Sequence, residues 1–431
     1  MNRFDIISLQ TRKTNIEKVY CLFATGRFHF LLGNETACIR AYSHAIEKLL
    51  NGKYLNSQSK IASEMALAGR LKCFNPALAG QIQLYLYIAM ALLSQGSDKT
   101  RFKNYLENFQ LRKVPFKTPV VIVAGGASLM DPSKVDDYRD YIRELMHGFR
   151  GTIISGGTTA GIPGLAGSVK ADMEKQHQPD FDLIAYLPVK LPVDAVKSLA
   201  YDQFYKTASE KFSALDILNC WVDLVMNGVN PVDVVLVGID GGAIARMEYE
   251  IALSLGAKVA LVSYSGRAVT DFLQDKIRGN HPNLLQLPDD PLTVWAMVNQ
   301  SSKTTLSKEE IETQAPPLQN SELKQVALYE HILKRVNLGI RKADKPVMMS
   351  LSENLTAADC DLLAKLEHAC RNAERLLDGW KYGPQKDLAN KLNPCIISWD
   401  NLDETTRRYI YEQVDNIPVL LGKIGYEVFK M

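Results

Sequence analysis

Three apolar, β-branched runs in this chain each end on a glycine pair: VVIVAGG (120–126), TIISGG (152–157) and VVLVGIDGG (234–242). No other feature restricts the fold as much. A short apolar run bounded by glycines reads as a strand buried on both faces, and such strands belong to parallel sheets covered by helices. The runs DLIAYLP (182–188) and AKVALVSY (257–264) read the same way, with helical patterns between them. The alternation predicts an α/β class with a Rossmann-like, doubly wound parallel sheet over residues 113–300.

The flanks differ. Residues 1–112 show helical periodicity and predict an all-α domain. Residues 301–322, SSKTTLSKEEIETQAPPLQNSE, have linker composition. Residues 323–431 return to helical patterns and predict a small C-terminal α-helical module. In GRFHFLLGNETACIRAYSHAIEKL (26–49), Gly26, Gly33, Tyr42 and Ala45 fall where a tetratricopeptide motif packs small and aromatic residues between two helices. His29 and Cys38 depart from that motif, and a plain helical hairpin fits the same residues.

Charge and cysteine usage exclude several classes. Lys+Arg is 50 against Asp+Glu 48, a formal net charge of +2. That balance gives no footprint for nucleic-acid binding. Seven scattered cysteines form no CxxC. Neither a disulfide scaffold nor a metal site is expected, and a reducing, cytoplasmic setting fits. The N-terminal stretch has no long apolar segment, so no signal peptide is expected. LYLYIAMALL (84–93) is too short to span a bilayer and reads as a buried helix, so no membrane association is expected.

In a doubly wound sheet, ligands gather outside the carboxyl ends of the strands. The glycine loops lie there: Gly125 and Gly126, Gly156 and Gly157, Gly241 and Gly242. Glycine lets a backbone approach a phosphate, and the next helix N-terminus attracts its charge. Ser128, Thr158 and Thr159 add hydroxyls. Arg246 and Arg267 are suited to phosphate or carboxylate, and Tyr264 and Ser265 stand beside Arg267. Arg150 precedes its strand and reads as structural. Asp223 fits either a core edge or solvent. Each loop also fits a bare strand-to-helix turn; three at one edge point to binding. There is no GxxxxGK[ST], and GxGxxG is not met.

VIVAGGAS, GFRGTIISGGTTAGIPGLAG, LDILNCWVDLVMNGVNP and VGIDGGAIARMEYEIALSLGAKVALV together resemble the SLOG superfamily, in particular its prokaryotic TRPM-like (LSDAT) branch. The resemblance covers most of residues 118–300. It implies a nucleotide-derived ligand, such as an ADP-ribose-like or cyclic nucleotide signal, with no cofactor required, in a bacterial defence or stress-signalling system. It also implies self-association. LOG phosphoribohydrolases in that superfamily carry GGxGTxxE. Gly241, Gly242 and Glu248 match its glycines and glutamate, while Ile244 and Ala245 replace its Gly-Thr. Glu248 is therefore expected as a ribose or base ligand, with catalysis of N-glycosidic cleavage as the alternative. A first-turn glutamate favouring the helix dipole is the plain reading.

The tail, with GWKYG (379–383), NP (393–394), W (399) and IPVLLGKIGY (417–426), resembles a bacterial ryanodine receptor (RyR) domain. Trp380, Tyr382, Lys386 and Trp399 would line a pocket of this module, or its tryptophans would form the core. Asn393 stands where that family has His. The helical modules imply a protein partner.

Overall fold

The computed structural model describes residues 3–52, 54, 56–94, 112–126, 132–301, 320–346 and 350–431. Two compact units divide the chain: residues 1–142 with 148–285, and residues 143–147 with 286–431.

The first unit begins with four helices, α1 (Arg3–Leu31), α2 (Glu35–Asn51), α3 (Ser57–Arg70) and α4 (Pro76–Leu93). Asn34 starts α2 by accepting the Ala37 N–H at 3.1 Å. Asn75 does the same for Leu78, with Pro76 in the first turn of α4. This cap starts α4 earlier than the apolar run alone suggests. At 18 residues α4 is long and apolar enough to cross a membrane by length and composition, yet 67% of it is buried inside the protein. The ring of Tyr42 on α2 covers Gly26 and lies 5.4 Å from the Phe23 ring.

The sheet strands are β1 (Val120–Gly125), β2 (Gly151–Ser155), β3 (Phe181–Leu187), β4 (Gln203–Lys206), β5 (Val234–Ile239), β6 (Lys258–Val262) and β7 (Leu284–Leu287). Their order is β4-β3-β2-β1-β5-β6-β7. The pairings β4-β3, β3-β2, β2-β1, β1-β5 and β5-β6 are parallel, with Val120 opposite both Thr152 and Val234. Every residue of β2 and β5 is buried, as strands covered on both faces require. The fold is the expected Rossmann-like α/β class. The chain walks outward from β1 to β4, then returns to lay β5 on the other side of β1. The order therefore reverses between β1 and β5, and doubly wound sheets take their ligands in the crevice at the carboxyl ends of such strands.

Helices α5 (Arg139–Met146), α6 (Gly161–Glu174), α7 (Ala214–Met226), α8 (Ala243–Leu255) and α9 (Arg267–Leu273) connect the strands. Ser213 and Asp216 form a capping box at α7. Gly256, at φ 98°, ends α8. The N-terminal helices share the core of this sheet: α2 packs on α8, and α4 packs on α7. Two polar features mark that junction. The Tyr85 hydroxyl meets Ser43 of α2 at 2.8 Å and Ser254 of α8. Arg278, 1% exposed, donates its Nε–H to Glu250 of α8 at 2.6 Å and an Nη1–H to Glu47 of α2.

The second unit is mostly helical. It holds α10 (Pro291–Ser301), α11 (Asn320–Lys334), α12 (Ala357–Leu377), α13 (Glu404–Asp415) and α14 (Ile417–Lys423). Strand β8 (Leu338–Lys342) pairs antiparallel with the terminal β11 (Tyr426–Lys430). The short β9 (Lys381–Tyr382) and β10 (Leu392–Asn393) pair in parallel. Thr356 and Asp359 cap α12, which packs against α10 and α13. Pro418 sits in the first turn of α14, where a missing N–H costs nothing, and so separates it from α13. Most of the expected 301–322 linker falls outside the described residues.

Candidate functional site

The crevice at the end of β1 and β5 is built around Asp240. Its backbone is left-handed at φ 55°, a region that non-glycine residues seldom enter and that Asp tolerates better than most. Three side chains hold it there. The Asp240 N–H donates to Ser265 Oγ at 2.9 Å, and Tyr249 Oη–H donates to the Asp240 carbonyl at 3.1 Å. Arg267 forks onto the carboxylate, Nε to Oδ1 at 3.1 Å and Nη2 to Oδ2 at 2.6 Å. The pair strengthens the hold of Arg267 on its proton, chiefly through that hydrogen bond.

Two glycines make room for this pair. A Cβ on Gly126 would stand 2.7 Å from Asp240 Oδ2 and 2.9 Å from Arg267 Nη2. A Cβ on Gly266 would stand 2.6 Å from Asp240 Oδ1, and its φ of 121° is itself unfavourable to other residues. The first glycine loop, the end of β5 and the end of β6 thus converge on one ion pair. Asp240 and Gly266 are not among the residues expected from the sequence. The available signal was an aspartate placed between a buried strand and a glycine pair, where a left-handed residue is needed.

The other expected ligand residues are distributed around this centre. Gly125 closes β1 against Ile162 of α6, and Gly241 (φ 105°) turns the chain into Gly242, the N-cap of α8. At the second loop, Gly156 abuts Pro163. The Thr159 N–H donates to the Val196 carbonyl at 2.9 Å, and the Ser198 N–H donates to the Gly157 carbonyl at 3.0 Å. Thr158 is buried and bridges to Lys197. The segment 195–198 therefore occupies backbone groups that the sequence suggested were open to a ligand. Thr159 instead lines a cavity of about 400 Å³ with Asp136, Arg139, Gly161 and Ser168. Ser128 lies outside the described residues.

Arg246 and Glu248 part company on α8. Two residues along a helix is a turn of about 200°, so they point to opposite sides. Arg246 faces Asp275 at 3.6 Å and Asp271 at 3.8 Å. Glu248 faces the α7 side, where its charge is felt by Cys220. These two side chains do not converge on one ligand atom. Glu248 makes no hydrogen bond to any described residue, and burial pushes its carboxyl up to about 7. Asp223 is buried and accepts the Tyr186 hydroxyl proton at 3.0 Å, which settles it into the core. Arg150 pairs with Asp180 at 3.1 Å on the surface.

In the C-terminal module, Trp399 is 7% exposed. Its ring meets His368 at 5.9 Å and, edge-on, Tyr411 at 5.8 Å. His368 is buried, and desolvation lowers its pKa to about 4, so it packs there as neutral imidazole. Trp380 donates Nε1–H to Asp378 at 3.0 Å, while Tyr382 and Lys386 are exposed. Trp399 belongs to the core that a module this small needs, while Tyr382 and Lys386 stand on its surface. A cavity of about 230 Å³ lies elsewhere, lined by Leu351, Ser352, Cys360, Tyr411, Val414 and Asp415. Asn393, buried, accepts the Cys395 N–H at 2.8 Å and stabilises the turn after β10. Trp399→Phe is expected to lower the module's stability by about 1 kcal/mol, the scale of an aromatic edge contact. Urea unfolding followed by fluorescence checks this, and an unchanged midpoint would contradict a core role.

Residues 346–430 match the family model of the RyR domain. The molybdenum cofactor carrier protein of Chlamydomonas reinhardtii is similar in structure to part of this chain, at 17% identity and a TM-score of 0.31; the match covers 42% of this chain and 97% of that one. A second structure of that carrier protein gives 18% identity, a TM-score of 0.30 and coverage of 42% and 96%. No curated protein matches.

Proposed function

We propose that this protein senses a nucleotide-derived signal in the crevice between β1 and β5, and that its sheet domain is a SLOG domain of the TRPM-like group. The observation that carries this reading is the meeting of Gly126, Asp240, Gly266 and Arg267 at the point where strand order reverses. Strained residues held by several neighbours mark functional sites more often than plain turns. The RyR domain and the N-terminal helices would pass the signal to a protein partner in a bacterial defence or stress response, with self-association as one route.

A second reading has its own observation. Glu248 combines a carboxyl pushed up to about 7 with the lack of a hydrogen-bond partner among the described residues. Such a group suits general acid–base work near neutrality, here as cleavage of an N-glycosidic bond. The Ile244-Ala245 replacement of Gly-Thr opposes it.

One experiment separates the two. Thermal shift with NAD, ADP-ribose, cyclic ADP-ribose, nucleoside monophosphates and cyclic dinucleotides reports binding, and mass spectrometry of the same samples reports ligand fate. A sensor raises the melting temperature and returns the ligand intact, and Arg267→Gln removes the shift. Release of free base, abolished by Glu248→Gln, would establish the enzyme. No shift with any member would refute nucleotide sensing.

A further inference from the structure

The Asp240–Arg267 pair determines what charge the crevice accepts. Two of the five guanidinium N–H groups are taken by the carboxylate. The Arg267 side chain is still 40% exposed, so its other donors face outward, while the Asp240 side chain is only 6% exposed. The unit therefore offers hydrogen-bond donors from a cation whose charge is already cancelled at 2.6 Å. A phosphate that enters there meets the Arg267 donors and the Asp240 carboxylate together.

Phosphate chemistry then discriminates. A phosphomonoester has a second pKa of about 6 and is nearly dianionic above neutrality. A phosphodiester or pyrophosphate-bridging phosphate carries one charge. Against a neutral fork, the second charge gains nothing and is repelled by the Asp240 carboxylate, which the Arg267 fork holds in place on a backbone fixed by Ser265 and Tyr249.

We propose that Asp240 is the specificity residue of this crevice, and that through its clamp on Arg267 it selects nucleotides whose phosphates are diesters and rejects nucleoside monophosphates. This rests on the nucleotide-sensing reading above and narrows its ligand class. Arg267 supplies the contact; Asp240 sets the charge it presents.

The test uses three adenosine compounds with the full chain: AMP, the methyl ester of its phosphate, and ADP-ribose. Calorimetric titration at about pH 8 is expected to show the ester and ADP-ribose binding at least about tenfold tighter than AMP. Lowering the pH to about 5 protonates AMP to a monoanion and closes the gap between AMP and its ester. Comparing two ligands at each pH cancels the titration of Glu248. Asp240→Asn is expected to close the same gap at pH 8, with AMP gaining about tenfold. AMP binding as tightly as its ester to the wild type at pH 8 would overturn the proposal, as would a gap unchanged by pH or by Asp240→Asn. Should the variant fail to fold, the wild-type pH comparison decides alone. If none of the three compounds binds, nucleotide sensing falls and this inference with it. AMP binding on equal terms overturns the charge selection alone.

Discussion

Arg278→Ala is expected to destabilise the first unit by about 3–5 kcal/mol, the cost of leaving buried carboxylates without their cation. Arg278 is 1% exposed. It reaches Glu250, whose side chain is 2% exposed, at 2.6 Å, and also Glu47, 20% exposed. His281 lies 3.2 Å from Glu47, and Arg40 lies 3.6 Å from Glu250. Neither replaces the lost guanidinium, because Arg40 is engaged with Asp275 at 2.5 Å and is partly in solvent. Burial pushes the Glu250 carboxyl upward even against its cations, so without Arg278 it would take up a proton rather than remain charged. The loss falls on the junction between α2 and α8, and the N-terminal helices should loosen first. Hydrogen exchange of α2, with urea unfolding of the whole chain, measures both. The triple change Arg278→Met, Glu47→Leu and Glu250→Leu removes every member together and is expected to recover most of the stability. A loss under about 1 kcal/mol in the single variant would mean that the triad is not what holds α2 to α8.

Glu248 gives the second large effect, and it depends on pH. Its carboxyl is raised from 4.5 to about 7 by burial. Between those values the folded protein keeps a proton that the unfolded chain has released. Stability is therefore full below about 4.5 and falls as pH rises, until both states are ionised above about 7. At about 1.4 kcal/mol per pKa unit, reduced for partial exposure, the loss is about 2–3 kcal/mol. Glu248→Gln carries no titrating proton. Relative to the wild type, it should gain that amount between pH 4.5 and 8. Subtracting the two urea profiles removes contributions from Asp216, Asp223 and Asp290, whose carboxyls burial also pushes up. Parallel profiles would show that Glu248 titrates as an ordinary surface carboxyl.

Much of the sheet is legible in the sequence. VVIV, TIIS and VVLV are short, rich in β-branched residues and without alternation, and their flanking glycines mark them as strands buried on both faces. Glycines at the strand exits follow, because the chain must turn there. Helix periodicity constrains the site as well. A separation of two along α8 puts Arg246 and Glu248 on opposite sides, so a single ligand atom touched by both conflicts with a local rule. Trp399 is legible to a similar degree: a short module with few large side chains needs its tryptophan inside.

What the sequence by itself determined is the kind of structure: parallel strands with glycine turns at one edge, an apolar α4 and a C-terminal segment of RyR type. The strands, turns and helix follow from periodicity and local backbone preference, which act over a few residues, and the RyR assignment from a resemblance of motifs. The tertiary structure alone decided which turns meet. The placing of β5 beside β1 brings Gly126 to within a methyl group's reach of Asp240, more than a hundred residues away. The same packing brings Arg267 onto Asp240 from the far side of β6, and Arg278 into a triad with Glu47. Charge pairing between residues this far apart in the chain has no period and no local propensity. It depends on distance and burial, and both exist only after the sheet has closed.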